Sequence, residues 1–269
     1  MGLFTGKKGM ILGVANDFSI AWAIAQKLLA EGAELGFTHL PGEKMERRVR
    51  KLAEPIAAKL ITPCDVQDDA SIAAVFEKAG ETYGSLDFVV HSIAFAPRED
   101  INCAYVNSSR AGFKTAMDVS VYSLAAVCKQ AATVMPDGGS IVTLTYLGGE
   151  RVVSGYNMMG VCKAALDASV RYLAYDLGPQ KIRVNAVSAG PVKTLAASAV
   201  GDSDKLADLY EAVAPLGRNI RREEVGSAAM FLLSDLASGM TGEIMHVDCG
   251  YSIMGSPGRA LEAAAEAKA

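Results

Sequence analysis

Short runs of β-branched and apolar residues alternate with longer stretches of helical periodicity almost from end to end, and no other feature limits the fold so strongly. Such alternation signals parallel strands joined by crossover helices. It predicts strands near residues 9–14, 34–39, 60–64, 86–92, 140–146, 182–188 and 243–247, with helices near 20–31, 43–52, 71–83, 112–135, 157–177 and 223–234. Segments such as LDFVV and GSIVTL are apolar throughout, because a sheet covered on both faces has no solvent side to alternate toward. The expected fold class is α/β, a doubly wound Rossmann-type arrangement of three layers around a seven-stranded parallel sheet.

No Pro/Ser-rich linker, long charge run or repeat breaks the 269 residues, so one domain spanning 1–269 is expected. Glycine and aspartate interrupt the helical pattern at Gly201 to Asp204, and residues 192–213 read as a mobile flap. The tail 255–269 is Ala/Glu-rich without apolar periodicity and reads as frayed.

A net charge of −4 supplies no global positive field for nucleic acid or an anionic membrane, so neither is an expected partner. The basic cluster Arg47-Arg48-Val49-Arg50-Lys51 reads first as a solvated helix face. Cys64, Cys103, Cys128, Cys162 and Cys249 are scattered, with no CxxC pair, and read as small buried hydrophobes. His39, His91 and His246 are isolated in strand-like contexts that suggest core or pocket lining, so no metal site is expected. Polar Asn16 and Asp17 stop the first apolar run short of a signal peptide or membrane span, and a cytoplasmic location is expected.

Ligands of open α/β sheets bind beyond the carboxyl ends of the strands, so the turns there carry the functional reading. After the first strand, Gly13 ends the run and Ser19 opens the helix, where backbone amides and a hydroxyl can face a pyrophosphate. Helix capping by Asn16, Asp17 or Ser19 explains the same residues. The turn after strand two, His39-Leu40-Pro41, has no acid for a ribose 2′-hydroxyl and no arginine for a 2′-phosphate. After strand three, Asp65 before Val66 can accept from an adenine amino group or cap the next helix. Strand four ends in HSIAFAP, where Ala94 permits close backbone approach and Ile93 offers an apolar wall.

Residues 156–163, YNMMGVCK, set a tyrosine seven positions before a lysine, with Met159 where a one-turn partner of Lys163 would stand. Tyr122 and Lys129 repeat the spacing, but within a long predicted helix, where Tyr122 reads as structural. The ordered series 13–19, CDV, HSIAFAP, TLTYLG, YNMMGVCK, RVNAVSAGPVKTLAAS and GEIMHVDCGYS resembles enoyl-acyl-carrier-protein reductase. That family is the NADH-using, divergent branch of the short-chain dehydrogenase/reductases, and the likeness runs from about residue 6 to residue 254.

The resemblance implies Tyr156, Tyr146 and Lys163 as catalytic residues and NAD as cofactor. Gly13, Ser19, Ile20, Leu40, Asp65, Val66, Ser92, Ile93, Ala94, Lys163, Pro191, Val192, Thr194 and Ala196 would hold that cofactor. Ala96, Met159 and Val200, with Tyr156, would line the acyl pocket; plain core packing fits the first three equally, and an ordinary strand-end aromatic is the alternative for Tyr146.

Seven helical residues span about 10 Å, against about 6 Å for the four that separate tyrosine from lysine in ketone-reducing relatives. In an α,β-unsaturated thioester, hydride adds at the β-carbon while charge appears on the carbonyl oxygen, so the proton donor must stand further off. Tyr156 is expected to meet that enolate, with Lys163 holding the ribose hydroxyls and drawing the phenol toward phenolate. The implied substrate is an enoyl group on acyl carrier protein, a partner that Lys193, Lys205 and Arg98 would steer, although each of the three reads first as solvated surface charge. A homotetramer packed through long helices is the implied assembly. A 3-oxoacyl or ketone reductase, and a nucleotide-sensing protein without catalysis, are the alternatives; Met159 speaks against the first and the Tyr146, Tyr156 and Lys163 set against the second.

Overall fold

The computed structural model describes residues 2–192 and 203–258, without the side chains of 203–206. Its strands are β1 (Lys8–Leu12), β2 (Glu34–His39), β3 (Leu60–Pro63), β4 (Phe88–His91), β5 (Gly139–Thr145), β6 (Ile182–Ala189) and β7 (Ile244–Val247). Each lies within two residues of its expected bounds. All pairs are parallel, in the order β3-β2-β1-β4-β5-β6-β7. The order reverses between β1 and β4, and this places the crevice beyond Leu12 and His91.

The helices are α1 (Ile20–Ala30), α2 (Glu43–Ala53), α3 (Asp69–Tyr83), α4 (Arg98–Ile101), α5 (Arg110–Met117), α6 (Ser123–Thr133), α7 (Asn157–Leu177), α8 (Ser203–Val213) and α9 (Arg222–Leu233). Two apolar cores explain the continuously hydrophobic strands. Met10, Leu12, Val89 and Ile141 point one way, into a layer with residues of α3, α6 and α7. Ile11, Phe88, Val90 and Val142 point the other way, toward α1, α2 and α9. Successive side chains of a strand alternate faces, so both sets must be apolar, and each fully buried aliphatic or aromatic side chain contributes about 1.5–3 kcal/mol.

Four expectations require correction. The helix read over 112–135 is α5 and α6 joined by a π-helical turn, Asp118–Tyr122. Val119, Ser120 and Val121 of that turn are buried while Tyr122 is 53% exposed, so Tyr122 does not pack in the core. The flap segment 192–213 contains α8 in its second half, because Leu206 to Val213 carry enough helix formers to outweigh the glycine and aspartates before them. His246 is exposed and meets Glu150 at 2.7 Å, whereas His39 and His91 are buried as expected. Buried Cys249 also has φ of +57°, a left-handed conformation that strains a residue bearing a Cβ by about 1–2 kcal/mol.

Cys64, Cys128, Cys162 and Cys249 are buried and Cys103 is half-buried. The basic cluster sits on α2, where Arg50 pairs with Glu46 and Glu54 and Val49 turns inward, the expected solvated face. Among the described residues no helix is long and apolar enough to cross a membrane, and no group of histidine, cysteine and acidic side chains is gathered to hold a metal ion.

Candidate active site

At the switch point, Gly13 has φ of +101°, and a Cβ there would lie 1.9 Å from Ser92 O. Only glycine lets β1 turn this close to the end of β4. The following turn is knitted by Ser19, whose Oγ accepts from Ala15 N (3.0 Å) and Asn16 N (3.1 Å). Ser19 therefore shapes the turn and makes no side-chain cap to α1, while Asn16 Oδ1 accepts from Phe18 N. Trp22 N and Ala23 N donate to Ser19 O, and the Ile20 and Ala21 amides ahead of them present the positive end of the helix to the crevice. Arg222 fastens the turn from α9: Nη1 donates to Asp17 O at 2.7 Å and the guanidinium lies over the Phe18 ring. Sequence reading missed Arg222, which stands some two hundred residues away along the chain.

The rest of the crevice rim follows the strand ends. Leu40 is 57% exposed after β2, an apolar surface free to meet a flat ring. Asp65 Oδ1 accepts from Gln67 N, and Asp68 is the residue that caps α3, through Ala70 N. Val66 is buried in the core behind it. Ser92 and Ile93 are half-buried and Ala94 exposed. Ser120 of the π turn clamps this segment, since its Oγ accepts from Phe95 N and donates to Phe95 O, both at 2.9 Å. Pro191 and Val192 close the rim beyond β6 and are half-buried. Lys193, Thr194, Ala196, Val200 and the Lys205 side chain lie outside the described residues.

Tyr156 is the N-cap of α7 and Lys163 stands two turns inside it. The lysine is 6% exposed and donates from Nζ to Leu144 O at 2.7 Å, which anchors its ammonium at the end of β5. Burial lowers its pKa to about 8, against an opposing pull from buried Asp167 one turn further on. Burial in turn raises the Asp167 carboxyl, and the charge of Lys163 draws it back. Thr145 Oγ1 and Asp167 Oδ1 are buried without a hydrogen-bond partner in the protein.

The Tyr146 and Tyr156 rings meet edge to face, their centroids 4.7 Å apart. Two glycines make this possible. A Cβ on Gly148 would lie 2.4 Å from Tyr156 Cδ1, and one on Gly160 would lie 2.8 Å from Gly148 O, so the turn after β5 rests directly on α7. Burial raises the Tyr156 phenol far above its ordinary value, with smaller contributions from Tyr146, Cys162 and Asp167. Burial thus favours the neutral phenol, in the direction opposite to the pull toward phenolate expected from Lys163.

Ala96 and Met159 join Tyr156 in a small apolar cluster with Ile101, Ala116, Val121, Met158 and Cys162. Met159 is 5% exposed, so core packing describes it in this state, and the one-turn position from Lys163 holds a thioether that cannot donate a proton. Asn157, beside Tyr156 at φ of +36°, ties α7 to the α4 loop by donating to Ile101 O and Cys103 O.

The comparisons with known proteins agree with this geometry. The family model described as enoyl-(acyl carrier protein) reductase matches residues 13–252. The NADH-dependent enoyl-(acyl-carrier-protein) reductase of Nostoc sp. is 52% identical over 253 residues, 93% of this chain and 98% of the relative. The Bacillus cereus enoyl-acyl carrier protein reductase, solved with NADP+ and indole naphthyridinone, superposes with a TM-score of 0.93 at 52% identity over 95% of this chain and all of that one. The Anaplasma phagocytophilum reductase, solved with NAD, gives 0.90 at 49% identity over 95% of each chain. With the switch-point crevice, the paired tyrosines and a match over nearly its whole length, the chain belongs to the enoyl-acyl-carrier-protein reductase family.

Proposed function

We propose that this chain reduces the trans-2 double bond of an enoyl group carried on acyl carrier protein, with hydride from NADH, as the last reductive step of a fatty-acid elongation cycle. The observation that carries the reading is the pairing of Tyr146 with Tyr156, two turns from Lys163, beside a buried Met159 at the one-turn position. Bound NADH supplies the hydride. Gly13, Ser19, Ile20, Leu40, Asp65, Val66, Ser92, Ile93 and Ala94 form its bed, and the glycine that no side chain can replace at the β1 to β4 approach fits a backbone cradle for its pyrophosphate. Pro191 and Val192, with Thr194 and Ala196, would hold the nicotinamide end.

Lys163 holds ribose hydroxyls with its ammonium, and Tyr156 keeps its proton until charge develops on the thioester oxygen. A donor that strengthens its bond only as the enolate forms lowers the barrier by about 3 kcal/mol. Tyr146, Ala96, Met159 and Val200 would wall the acyl chain. Steady-state kinetics on crotonyl-carrier protein with NADH and with NADPH test the reading, and acetoacetyl-carrier protein separates it from ketone reduction. Tyr156→Phe is expected to lower turnover roughly 100-fold with NADH binding retained; unchanged turnover would remove the role assigned to the phenol.

The quaternary proposal is a homotetramer of one-domain subunits. Its support is an outward stripe on α7, where Val161, Tyr172 and Tyr175 are exposed on the side opposite buried Cys162, Leu166 and Val170. An acidic carrier protein would meet exposed Arg98 near the crevice, with Lys193 and Lys205 from the flap.

A further inference from the structure

Tyr210 of α8 is 2% exposed, and its hydroxyl lies 2.6 Å from that of Tyr146. Its ring is stacked on Tyr251 at 3.6 Å between centroids and 11° between planes. Tyr146 in turn meets the Tyr156 edge, so four tyrosines form one chain from the last strand's exit to the N-terminus of α7. The base of this chain is firmly held. Tyr251 follows Asp248, whose carboxylate accepts from Gly250 N and Ser252 N, and Leu216 N donates to Cys249 O beside Pro215 packed on Gly250.

Two phenols at this distance share one hydrogen bond, and only one can donate to the other. Burial raises both, but their mutual bond raises Tyr210 further and lowers Tyr146, whose pKa stands at about 12. Both phenols stay protonated at neutral pH, and either can donate to the other. The other side of Tyr146 faces Tyr156.

We propose that Tyr210 is a positioning residue for the reduction: its hydroxyl, hydrogen-bonded to that of Tyr146, fixes the ring edge against which Tyr156 is held. The inference rests on the enoyl-reductase reading above and deepens it, since it makes α8, in the second half of the flap segment, a support of the reacting phenols. No charge or bond order changes at Tyr210 in this role. Its contribution is orientation, worth the net strength of one hydrogen bond, about 3- to 10-fold in rate.

Tyr210→Phe deletes the hydroxyl and keeps the stack on Tyr251. On crotonyl-carrier protein the variant is expected to lose about 3- to 10-fold in kcat, with NADH KM and thermal midpoint near those of the parent. Tyr146→Phe removes the other end of the same bond, so the double variant should be no slower than Tyr146→Phe alone. A Tyr210→Phe enzyme with parental kcat, or a double variant whose losses multiply, overturns the positioning role. A lowered thermal midpoint with parental kcat assigns Tyr210 to packing alone and overturns it equally. Absence of turnover in the parent with every carrier-protein substrate refutes the enoyl-reductase reading itself, an outcome distinct from a silent Tyr210→Phe in an active parent.

Discussion

At the scale of single residues, burial sets the protonation of the groups that matter, and two pH dependences follow. Burial lowers the Lys163 pKa to about 8, so its ammonium loses its proton as pH rises through that value. Its ammonium is the group assigned to the ribose hydroxyls, so NADH affinity should fall as pH rises through 8, with the slope of one proton. Fluorescence titration between pH 6.5 and 9.5 measures it, and Lys163→Met should bind weakly and without that slope. His91 presents the opposite case. Its Nε2 lies 2.9 Å from Ser123 Oγ, whose hydrogen goes to Val119 O, so Nε2 donates and Thr143 donates to Nδ1 at 3.0 Å. This neutral, fully buried imidazole has its pKa lowered to about 3, by burial first and by the Lys163 charge second. In the unfolded chain the ring takes a proton near pH 6.5. Between those values the unfolded state binds the extra proton, so stability declines as pH falls from 6.5 toward 3, by about 1.4 kcal/mol per unit. Urea midpoints at pH 7, 6, 5 and 4 should fall more steeply for the parent than for His91→Gln, and equal slopes would contradict the assignment.

At the scale of elements, the contact between the turn after β5 and α7 decides where the tyrosines stand. Gly160 lies inside α7, where glycine costs about 1 kcal/mol relative to alanine, yet its Cβ position is only 2.8 Å from Gly148 O. A methyl group there meets backbone that cannot rotate away. Gly160→Ala should therefore destabilise by about 1–3 kcal/mol despite the better propensity, and should lower kcat by parting Tyr146 from Tyr156; calorimetry and crotonyl kinetics check the two effects. The same contact shows what was legible in the chain. Strand and helix positions were, because hydrophobic period follows from burial on both sheet faces and 9–14 or 34–39 needs no distant partner to be read. The order of Tyr146, Tyr156 and Lys163 was legible through spacing and family likeness. Gly160 read only as part of the YNMMGVCK spacing, since a close approach to Gly148 is a tertiary fact. The π turn at Asp118–Tyr122 had no local signal either; it exists because Ser120 and Ser123 bond Phe95 and His91 across the sheet end. Tyr210 and Arg222 escaped notice for the same reason, each joining the site through one long-range bond.

At the scale of the molecule, the two cores on the faces of the sheet account for the inward sides of the helices but leave the outer side of α7 unexplained. Tyr172 is 75% exposed and Tyr175 82%, three residues apart on one face, with Val161 three turns before Tyr172 on the same line. A surface helix normally turns charge outward, and a large aromatic pair left in water marks an interface. Two copies of such a stripe are self-complementary across a two-fold axis, where each tyrosine can lie on its counterpart's helix. The residues of the reaction sit on the same helix: Tyr156 at its start and Lys163 two turns in. Pairing through α7 would therefore stiffen the element that carries them as well as bury its outer face. Tyr172→Lys with Tyr175→Lys places like charges opposite one another across that axis while leaving the buried side of the helix untouched. Sedimentation velocity should show the parent as an oligomer and the double variant as a smaller species, with a melting temperature that no longer rises with protein concentration. If the double variant sediments with the parent over a hundredfold range of concentration, the subunits associate through another face, and the α7 stripe must be explained by something other than a second copy.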